Sequence, residues 1–306
     1  MDNSKVMEVA NDLSSILDKE QILFNVPMKE HTSMQAGGSA KVIVLPSNIE
    51  QIKKVLKCIY EKNVPCYVMG NGTNLIVSDN GYDGIIIMLS RNFSQTQISE
   101  NIITAQSGAS IVSISNLGYR HSLSGLEFAA GIPGTVGGAV AMNAGAYDGE
   151  MKDVVTEATC VNKAGKVFQM GLDDLQFGYR TSKIQRDNLF VLEVNMKLKP
   201  GDKNQIKEKM RRLNDRRKDK QPLSLPSSGS IFKRPEGCYA GKLIEDADLK
   251  GYRVGGAQVS EKHCGFIVNT GGATASDVIE LIEYIKQKVF DNSGVMLQQE
   301  VKILGG

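Results

Sequence analysis

The sequence predicts an α+β protein whose organisation changes near residue 200. Three observations support this prediction. Short apolar runs, many of them alternating with polar residues, are typical of strands, and longer amphipathic stretches are typical of helices. The Pro200-Gly201 pair ends the last strand of the first part of the chain. This mix of sheets with attached helices is typical of the α+β class.

Apolar alternation and flanking turn residues locate the strands. The predicted strands are residues 41–45, 65–69, 85–89, 102–106, the two arms of a hairpin within 157–170, and 188–200, 266–269 and 295–304. The hairpin turns at Ala164-Gly165, and Asn80-Gly81 is a turn signal before the third strand.

Helical periodicity locates the helices. The predicted helices are residues 7–17, a helix with Ile49, Ile52, Leu56 and Ile59 on one face, residues 110–120, residues 204–217, and a last helix that begins near Ser276 and Asp277. The last helix has the clearest apolar stripe, formed by Val278, Leu281, Ile282, Ile285 and Val289. The Pro- and Ser-rich residues 220–230 are interpreted as a linker or an active-site loop.

The composition excludes several classes of protein. The chain has 306 residues, of which 41% are hydrophobic and 23% charged, which is typical of a globular protein with two or three domains. The formal net charge of +2 gives no reason to expect binding to nucleic acid or to a membrane surface. The five cysteines form no CxxC pair, so we expect no metal site and a reducing compartment. Residues 1–20 lack an apolar signal core, so we expect a cytoplasmic protein.

Residues 128–147, with the sequence FAAGIPGTVGGAVAMNAGAY, contain no charged side chain. They include a GxxxG pair, Gly134 and Gly138, but alanine and glycine dominate and the strongly apolar residues are too few for a membrane span. A backbone with small side chains suits close approach to a ligand or to another strand. Close packing of a helix against a sheet is the alternative explanation.

Residues 70–75, GNGTNL, nearly match the dinucleotide fingerprint GxGxxG, but Leu75 stands at the third glycine. The residues that follow predict a strand and a turn, whereas a Rossmann site requires a helix at that point. A Walker phosphate-binding loop is excluded because no GK[ST] sequence is present. The remaining interpretations are an anion nest that holds a pyrophosphate and an ordinary tight turn.

Three polar residues outside these loops are candidates for chemistry. Arg180 follows a tyrosine in FGYRTS, Ser230 lies in SSGSIFKRP, and Glu300 lies in the terminal LQQEV. Each has a simpler explanation when it is taken alone: a surface salt bridge, a turn serine and an exposed strand residue.

Six motifs that occur in order along the chain resemble those of a known enzyme family. They are GNGTNLIVSD (70–79), GLEFAAGIPGTVGGAVAMNAGAY (125–147), YRTS (179–182), GSIFKRP (229–235), AGKLIEDADLKG (240–251) and LQQEV (297–301). The family is that of the UDP-N-acetylenolpyruvoylglucosamine reductases, flavoenzymes that complete UDP-N-acetylmuramic acid in bacterial peptidoglycan synthesis. The resemblance extends from about His31 to the end of the sequence.

The resemblance implies a fold and a cofactor. The expected fold is of the vanillyl-alcohol-oxidase or PCMH type, in which subdomains 1–90 and 91–200 hold non-covalent FAD and a domain from 201 to 306 covers the substrate. The expected FAD contacts are Gly70, Asn71, Gly72, Thr73, Asn74, Leu75, Ile132, Pro133, Gly134, Thr135, Gly138, Asn143, Ala144 and Gly145.

The resemblance also implies a reaction in two halves at one shared site. NADPH gives a hydride to FAD, and flavin N5 then passes a hydride to C3 of UDP-N-acetylglucosamine enolpyruvate. Negative charge spreads from C2 into the substrate carboxylate, where Arg180 and Glu300 match the residues that stabilise this enolate. Ser230 matches the serine that protonates C2, and Lys233 is a candidate to assist it.

Substrate contacts are implied for four further residues. Tyr147 matches a tyrosine near the substrate, and Lys220 resembles a lysine that pairs with the UDP phosphates. Arg234 and His263 fall where other members place neutral amides. Arg217 is left open between cofactor and substrate. The chain resembles the shorter second type of the family, which lacks a lid insertion.

Two other functions remain to be weighed against the reductase. The first is an oxidase of the same fold that acts on an alcohol or a sugar, for which covalent flavin attachment at His31 or Cys66 would be the sign. The second is a non-catalytic nucleotide-binding protein. Neither explains why Arg180, Ser230 and Glu300 occur together with the glycine-rich loops.

Overall fold

The computed structural model describes residues 3–305. Its helices are α1 Asn3–Leu13, α2 Ile49–Glu61, α3 Ile111–Arg120, α4 Val136–Ala141, α5 Leu172–Leu175, α6 Lys183–Arg186, α7 Lys203–Lys220, α8 Ala240–Asp246 and α9 Ala275–Ser293. Its strands are β1 Ile22–Pro27, β2 Ser39–Val44, β3 Cys66–Met69, β4 Leu75–Val77, β5 Tyr82–Met88, β6 Thr96–Ser99, β7 Ile102–Gln106, β8 Leu123–Ser124, β9 Gly145–Ala146, β10 Gly149–Glu150, β11 Val155–Val161, β12 Val167–Gly171, β13 Phe190–Lys197, β14 Lys199–Pro200, β15 Ser227–Ser230, β16 Arg253–Val254, β17 Ala257–Val259, β18 Phe266–Asn269 and β19 Lys302–Leu304.

The chain divides into two compact units. The first unit contains the chain up to Phe24, Val42–Asn71 and Gly84–Arg217. The second unit contains Asn25–Lys41, Gly72–Asp83 and the chain from Lys218 onward. No helix within residues 3–305 is long and apolar enough to cross a membrane.

A five-stranded antiparallel sheet forms one core of the first unit. Its strand order is β12-β11-β13-β7-β6, and β11 and β12 are the two arms of the predicted hairpin. Alternate residues of these strands face the core because side chains of a strand point to opposite faces in turn. Ala158 and Cys160 of β11 and Val194 and Met196 of β13 are fully buried in this way.

A second core of the first unit lies around α2. This helix begins after Asn48, whose side chain accepts a hydrogen bond from the Gln51 amide at 2.9 Å. Its buried residues are Ile52, Val55, Leu56 and Ile59, which cluster with Val42, Val44, Ile85 and Ile87 of the neighbouring strands. These strands belong to a sheet of order β1-β2-β5-β3, in which β3 and β5 are parallel. The apolar face predicted for this helix is therefore confirmed.

The second unit is built on an antiparallel sheet of order β15-β18-β17-β16, with α9 beside it. Thr274 and Asp277 form a reciprocal capping box at the start of α9. The stripe that was predicted for this helix is buried in the core of the unit, since Val278, Leu281, Ile282, Ile285 and Val289 are inaccessible to solvent. A second, parallel pair joins β19 to β4.

Asp79 joins the start of α9 to the turn that follows β4. Its carboxylate accepts hydrogen bonds from the amides of Ala275 and Ser276, both at 2.8 Å, and from the Ser276 hydroxyl at 2.6 Å. A carboxylate at a helix N-terminus also interacts favourably with the helix dipole. The turn after β4 is thus tied to the longest helix of the second unit among the described residues.

Three sequence predictions are wrong in their boundaries. The first helix ends at Leu13 instead of residue 17, and the hydroxyls of Ser14 and Ser15 bond the carbonyls of Asn11 and Asp12 at 2.5 and 2.7 Å. These serines compete with the helical hydrogen bonds of the backbone. Residues 227–230, interpreted as part of a linker or loop, form strand β15.

The final strand is also shorter than predicted. Regular pairing is confined to Lys302–Leu304, whereas 295–304 was predicted. Residues 298–300 pair instead with residues 231–233, through the Lys233 amide to the Gln298 carbonyl and the Glu300 amide to the Ile231 carbonyl, both at 2.8 Å. The two halves of the segment therefore have different partners, which the apolar pattern alone does not indicate.

Replacing Asp79 with alanine removes three hydrogen bonds at the start of α9. We expect the free energy of unfolding, measured by urea denaturation at neutral pH, to fall by about 1 kcal/mol, since the carboxylate is exposed. The exposed neighbour Asn80 provides the control, and Asn80→Ala should change stability by less than about 0.5 kcal/mol.

The contribution of Asp79 should depend on pH. Partial burial acts to raise the pKa of Asp79, but hydrogen bonds from Ser276 and Ala275 outweigh it and hold that pKa below its usual value. A carboxyl with a lowered folded-state pKa stabilises the fold above its unfolded-state pKa, and this stabilisation is lost as the pH falls through the folded-state pKa. The difference between wild type and Asp79→Ala should therefore shrink in acid. An undiminished difference there would contradict the capping role.

Candidate functional site

Residues 70–75 join two strands, as their sequence predicts. β3 ends at Met69 and β4 begins at Leu75, so no helix follows the loop and a Rossmann site is excluded. Gly72 has a φ of 62°, a left-handed conformation that favours glycine. In the second unit its carbonyl accepts a hydrogen bond from the Ser33 amide at 3.1 Å.

The first unit brings this loop against the uncharged segment 128–147 at one point. A Cβ atom added to Gly70 would lie 2.8 Å from Cγ2 of Thr135, a separation that real Cβ atoms do not show. Gly70 therefore permits a close approach of backbone to side chain that no other residue allows. Two of the expected cofactor-binding segments are neighbours in the fold for this steric reason.

The segment 128–147 combines exposed backbone with a short helix. Thr135 caps α4, and its hydroxyl accepts a hydrogen bond from the Gly138 amide at 3.4 Å. The amides of Val136 and Gly137 donate to the carbonyls of Ala109 and Ser107, both at 2.8 Å. Helix α4 packs against β13 and β7, so the alternative of a helix packed on a sheet also holds for part of the segment.

The residues before and after the cap of α4 leave room for a ligand. Pro133 and Gly138 are exposed, and Ile132 is half-buried against the core of the first unit. The hydroxyl of Ser107, beside Gly137, is buried and has no hydrogen-bond partner among the described residues. Exposed backbone, an apolar side chain and an unsatisfied buried hydroxyl fit a flat cofactor with polar edges, such as the FAD that the resemblance implies.

Asn143 is the polar centre of this segment. Its side chain is fully buried and donates to Glu150 Oε2 at 2.8 Å and to the Gly178 carbonyl at 3.1 Å, while it accepts from the Lys152 amide at 3.0 Å. Its φ of 44° is in the left-handed region, which Asn tolerates better than most residues. The adjoining Ala144 and Gly145 lead into the hairpin of β9 and β10.

Arg180 lies at the corner of a tight turn that Asn143 helps to hold. Gly178 and Thr181 exchange backbone hydrogen bonds at 3.0 and 3.3 Å, so Tyr179 and Arg180 form the corner. Arg180 has a φ of 52°, and strained backbone of this kind is common at functional sites. Its guanidinium donates to the Gly145 carbonyl at 3.1 Å and lies 5.2 Å from the Tyr179 ring centre.

Tyr147 connects the end of the segment to helix α7. Its hydroxyl donates to the Leu213 carbonyl at 3.1 Å, and the Arg216 guanidinium lies 5.0 Å from its ring centre. Tyr147 is 37% exposed, which leaves part of its surface open to a ligand. The expected substrate residue is thus anchored to a basic helix of the first unit.

In the second unit, Ser230 and Glu300 lie on adjacent segments. Ser230 ends β15, where it pairs with Phe266 of β18, and its neighbour Ile231 accepts a hydrogen bond from the Glu300 amide at 2.8 Å. The Glu300 carbonyl in turn accepts from the Asn74 side chain at 3.3 Å. The Asn74 side chain therefore joins an expected cofactor residue to the backbone of Glu300, and a backbone hydrogen bond joins Glu300 to the residue after Ser230.

Three further expected residues lie in the second unit. Arg234 is exposed and lies 4.1 Å from the Tyr239 ring centre, in contact with a small cavity that Lys233 and Gln298 also line. Lys220 is exposed at the end of α7. The backbone amide of Lys233 donates a hydrogen bond to the Gln298 carbonyl at 2.8 Å.

His263 is held in one orientation. Its Nδ1 accepts a hydrogen bond from the Gly265 amide at 3.1 Å, and its ring makes an edge contact with Phe266 at 5.0 Å between centres. Burial lowers the pKa of His263 from its ordinary value of 6.5. The side chain is therefore neutral at pH 7, with its proton on Nε2 available to donate.

The structure also shows polar residues that the sequence reasoning missed. The carboxylate of Glu127 is buried and accepts from the Gly125 amide at 3.1 Å and from Lys209 of α7 at 3.4 Å. Burial acts to raise the pKa of Glu127, but hydrogen bonds from Ser124 and the backbone hold it below its usual value. The signal that could have found Lys209 is its position on the apolar face of α7. No group of three or more His, Cys, Asp or Glu residues within 3–305 could hold a metal ion.

Two family models match the chain. Residues 40–171 match the FAD binding domain, and residues 221–304 match the C-terminal domain of UDP-N-acetylenolpyruvoylglucosamine reductase. Among curated proteins, the UDP-N-acetylenolpyruvoylglucosamine reductase of Alkaliphilus oremlandii (strain OhILAs) is 49% identical over 293 residues, which are 96% of each chain. The enzyme of the same name from Clostridioides difficile (strain 630) is 47% identical over 96% of this chain and 97% of its own.

Solved structures agree with these matches. The crystal structure of UDP-N-acetylenolpyruvylglucosamine reductase from Thermus caldophilus is 33% identical, covers 93% of this chain and 98% of its own, and has a TM-score of 0.80. Wild-type Phl p 4.0202, a glucose dehydrogenase, is 16% identical over 64% of this chain and 44% of its own, with a TM-score of 0.51. The second likeness concerns the fold alone. The predicted α+β fold of the vanillyl-alcohol-oxidase type is confirmed.

Replacing Asn143 with alanine leaves several buried polar groups without partners. We expect the free energy of unfolding to fall by about 2–3 kcal/mol in urea denaturation. Asn143→Gly separates the two causes, because glycine relieves the strain at a φ of 44° but makes none of the hydrogen bonds. The control is Asn204→Ala, at an exposed position on α7. If Asn143→Gly were as stable as wild type, the hydrogen bonds would not be the source of stability.

Proposed function

This chain belongs to the UDP-N-acetylenolpyruvoylglucosamine reductase family, and we propose that Arg180, Ser230 and Glu300 carry its chemistry. The protein is an FAD-containing oxidoreductase that reduces UDP-N-acetylglucosamine enolpyruvate to UDP-N-acetylmuramate, with NADPH as hydride donor. The observation that carries the proposal is the hydrogen bond from the Glu300 amide to the Ile231 carbonyl, which places Glu300 beside the segment that begins at Ser230.

We assign FAD binding to the loop 70–75 and to the segment 132–145. The close approach of Gly70 to Thr135, the exposure of Pro133 and Gly138, and the unsatisfied Ser107 hydroxyl support this assignment. Backbone amides in such loops bind phosphate oxygens without a cationic side chain. Bound FAD supplies the hydride that reaches C3 of the substrate. The side chain of Asn143 makes its hydrogen bonds within the protein, and these bonds hold the segment in place.

Ser230 donates the proton that C2 of the substrate requires. A serine hydroxyl is a weak acid in water, so its contribution depends on fixed position and on nearby stabilisation of charge. The pairing of Ser230 with Phe266 fixes the backbone on one side, and the bond from Glu300 to Ile231 fixes the next residue. Lys233, three residues further along the chain, is a candidate to assist Ser230.

Arg180 and Glu300 stabilise the enolate that forms as hydride arrives at C3. Glu300 does so only as a hydrogen-bond donor in its protonated form, because a carboxylate would repel the enolate. The guanidinium of Arg180 presents a planar set of donors that suits a carboxylate. The turn at 178–181 holds this residue in a strained conformation, so its position is set before the substrate binds. Preorganised donors of this kind are usually the largest contribution to catalysis.

Four residues are assigned to substrate binding. Lys220 and Arg234 are exposed cations suited to phosphate oxygens, and Tyr147 offers a partly exposed ring. Neutral His263 can donate a hydrogen bond from Nε2. A side-chain amide, which other family members have at this position, can also donate a hydrogen bond. These four assignments follow the family resemblance residue by residue.

We place the reaction in peptidoglycan precursor synthesis and in the cytoplasm. The substrate of the matching relatives supports the first assignment, and five free cysteines, which suit a reducing compartment, support the second. The subdomains 1–90, 91–200 and 201–306 remain the proposed division for cofactor and substrate binding. The oxidase alternative has only a likeness of fold to support it.

The central test is anaerobic spectroscopy of the purified protein. NADPH should bleach the flavin absorbance, and UDP-N-acetylglucosamine enolpyruvate should restore it. Ser230→Ala should slow the restoration by about 100- to 10,000-fold and leave the bleaching by NADPH unchanged, because only the second half-reaction needs a proton at C2.

Ser224→Ala is the matched control, since Ser224 is exposed and lies in the segment before β15. Both half-reactions should keep wild-type rates in this variant. Arg180→Gln and Glu300→Gln should also slow the restoration. A Ser230→Ala protein that turns over like wild type would remove Ser230 from the mechanism, and a protein without flavin after reconstitution would refute the function itself.

A further inference from the structure

One face of α7 is docked along the residues that lead into the uncharged segment. We call this the docking face; it consists of Ile206, Lys209, Met210, Leu213, Asn214 and Arg217. These residues occupy positions i, i+3, i+4, i+7, i+8 and i+11 of the helix, so they form one stripe along it. All of them belong to the first unit.

Three contacts hold the docking face in place before its last turn. Ile206 and Met210 are buried with Ala130 in a small apolar cluster. Lys209 pairs with the buried carboxylate of Glu127 at 3.4 Å. The Leu213 carbonyl accepts the hydroxyl of Tyr147 at 3.1 Å. The helix is therefore positioned by apolar, ionic and hydrogen-bond contacts over several turns.

The last turn of the docking face lies against Gly131. A Cβ atom added to Gly131 would lie 2.5 Å from Oδ1 of Asn214, 3.0 Å from Nη1 of Arg217 and 3.2 Å from Cδ of Arg217. Glycine at 131 thus makes room for the guanidinium beside the backbone. The residues that follow, from Ile132, are the expected cofactor segment.

The guanidinium of Arg217 is half-buried at this position. Burial lowers the pKa of Arg217, and the nearby Tyr147 opposes that shift by raising it. Arginine nevertheless remains protonated, so a positive charge is held in a partly desolvated place. Residues 128–147 carry no charge of their own, and α7 brings the Arg217 cation to Gly131, near the start of this segment.

We propose that Arg217 binds FAD by donating hydrogen bonds to an anionic oxygen of the cofactor. The proposal rests on the function assigned above. It assigns Arg217 to the cofactor, where the sequence left a cofactor contact and a substrate contact as alternatives. The oxygen belongs either to the diphosphate or to the flavin ring, which carries negative charge when it is reduced. In both cases the missing side chain at Gly131 leaves the space that the guanidinium occupies beside the backbone of the cofactor segment.

The experiment is a titration of the apoprotein with FAD, followed by the quenching of flavin fluorescence. Arg217→Gln should weaken FAD binding by about 10- to 100-fold, the effect of losing a charged hydrogen bond. Arg217→Lys should recover part of the loss because it keeps the charge but not the planar donors. Arg212→Gln, which removes an exposed cation of the same helix, is the control and should bind FAD like wild type.

A second variant tests the geometry without removing the charge. Gly131→Ala should also weaken FAD binding, because its methyl group displaces the guanidinium from the backbone. Circular dichroism of each apoprotein checks that the variants are folded. If Arg217→Gln does not fold, Arg217→Lys and Gly131→Ala still decide the proposal, since both keep a positive charge on the docking face.

The remaining outcomes distinguish the diphosphate from the flavin ring as the group that Arg217 contacts. They also distinguish failure of this proposal from failure of the proposed function. Weaker binding with a more negative reduction potential assigns the contact to the flavin ring, and weaker binding at an unchanged potential assigns it to the diphosphate. Wild-type FAD affinity in Arg217→Gln overturns the proposal, and a raised KM for NADPH or the enolpyruvyl substrate would then assign Arg217 to substrate. A wild-type protein that binds no FAD refutes the proposed function instead.

Discussion

The absence of a Cβ atom at two glycines determines how the candidate site of the first unit is built. At Gly70 the backbone lies so close to Thr135 that a methyl group would overlap its side chain, and at Gly131 the same holds for Asn214 and Arg217. The first contact brings two chain segments together, and the second brings a helix to one of them. A side chain at either position would displace these neighbouring side chains, Thr135 at the first glycine and Asn214 and Arg217 at the second.

Polar interactions then make this arrangement rigid. Asn143 joins the cofactor segment to the turn that carries Arg180, and Glu127 joins the start of the same segment to α7. Both side chains are buried, where hydrogen bonds are strong and unsatisfied groups are costly. Strained residues such as Asn143 and Arg180 persist because these surroundings leave no better conformation.

The second unit uses backbone pairing for the same purpose. The chain after β15 exchanges backbone hydrogen bonds with residues 298–301, and β19 continues from there to pair with β4. One short segment thus contacts the residues that follow Ser230 and the strand that follows the loop 70–75. The Asn74 side chain adds a direct bond to the Glu300 carbonyl. The positions of Ser230 and Glu300 are set by main-chain geometry, which does not depend on the protonation of either side chain.

The sequence by itself determined the elements whose signal is local. Helices α2 and α9 follow from a period of 3.6 in their apolar residues, the loop 70–75 follows from strand patterns on both sides, and six ordered motifs identify the family. Only the tertiary structure decided the contacts of Gly131, the role of Asn143, the docking face of α7 and the late start of the final strand. Periodicity indicates which face of an element is buried. It does not indicate what covers that face, because the covering residues are distant in sequence and are brought there by packing of the whole unit.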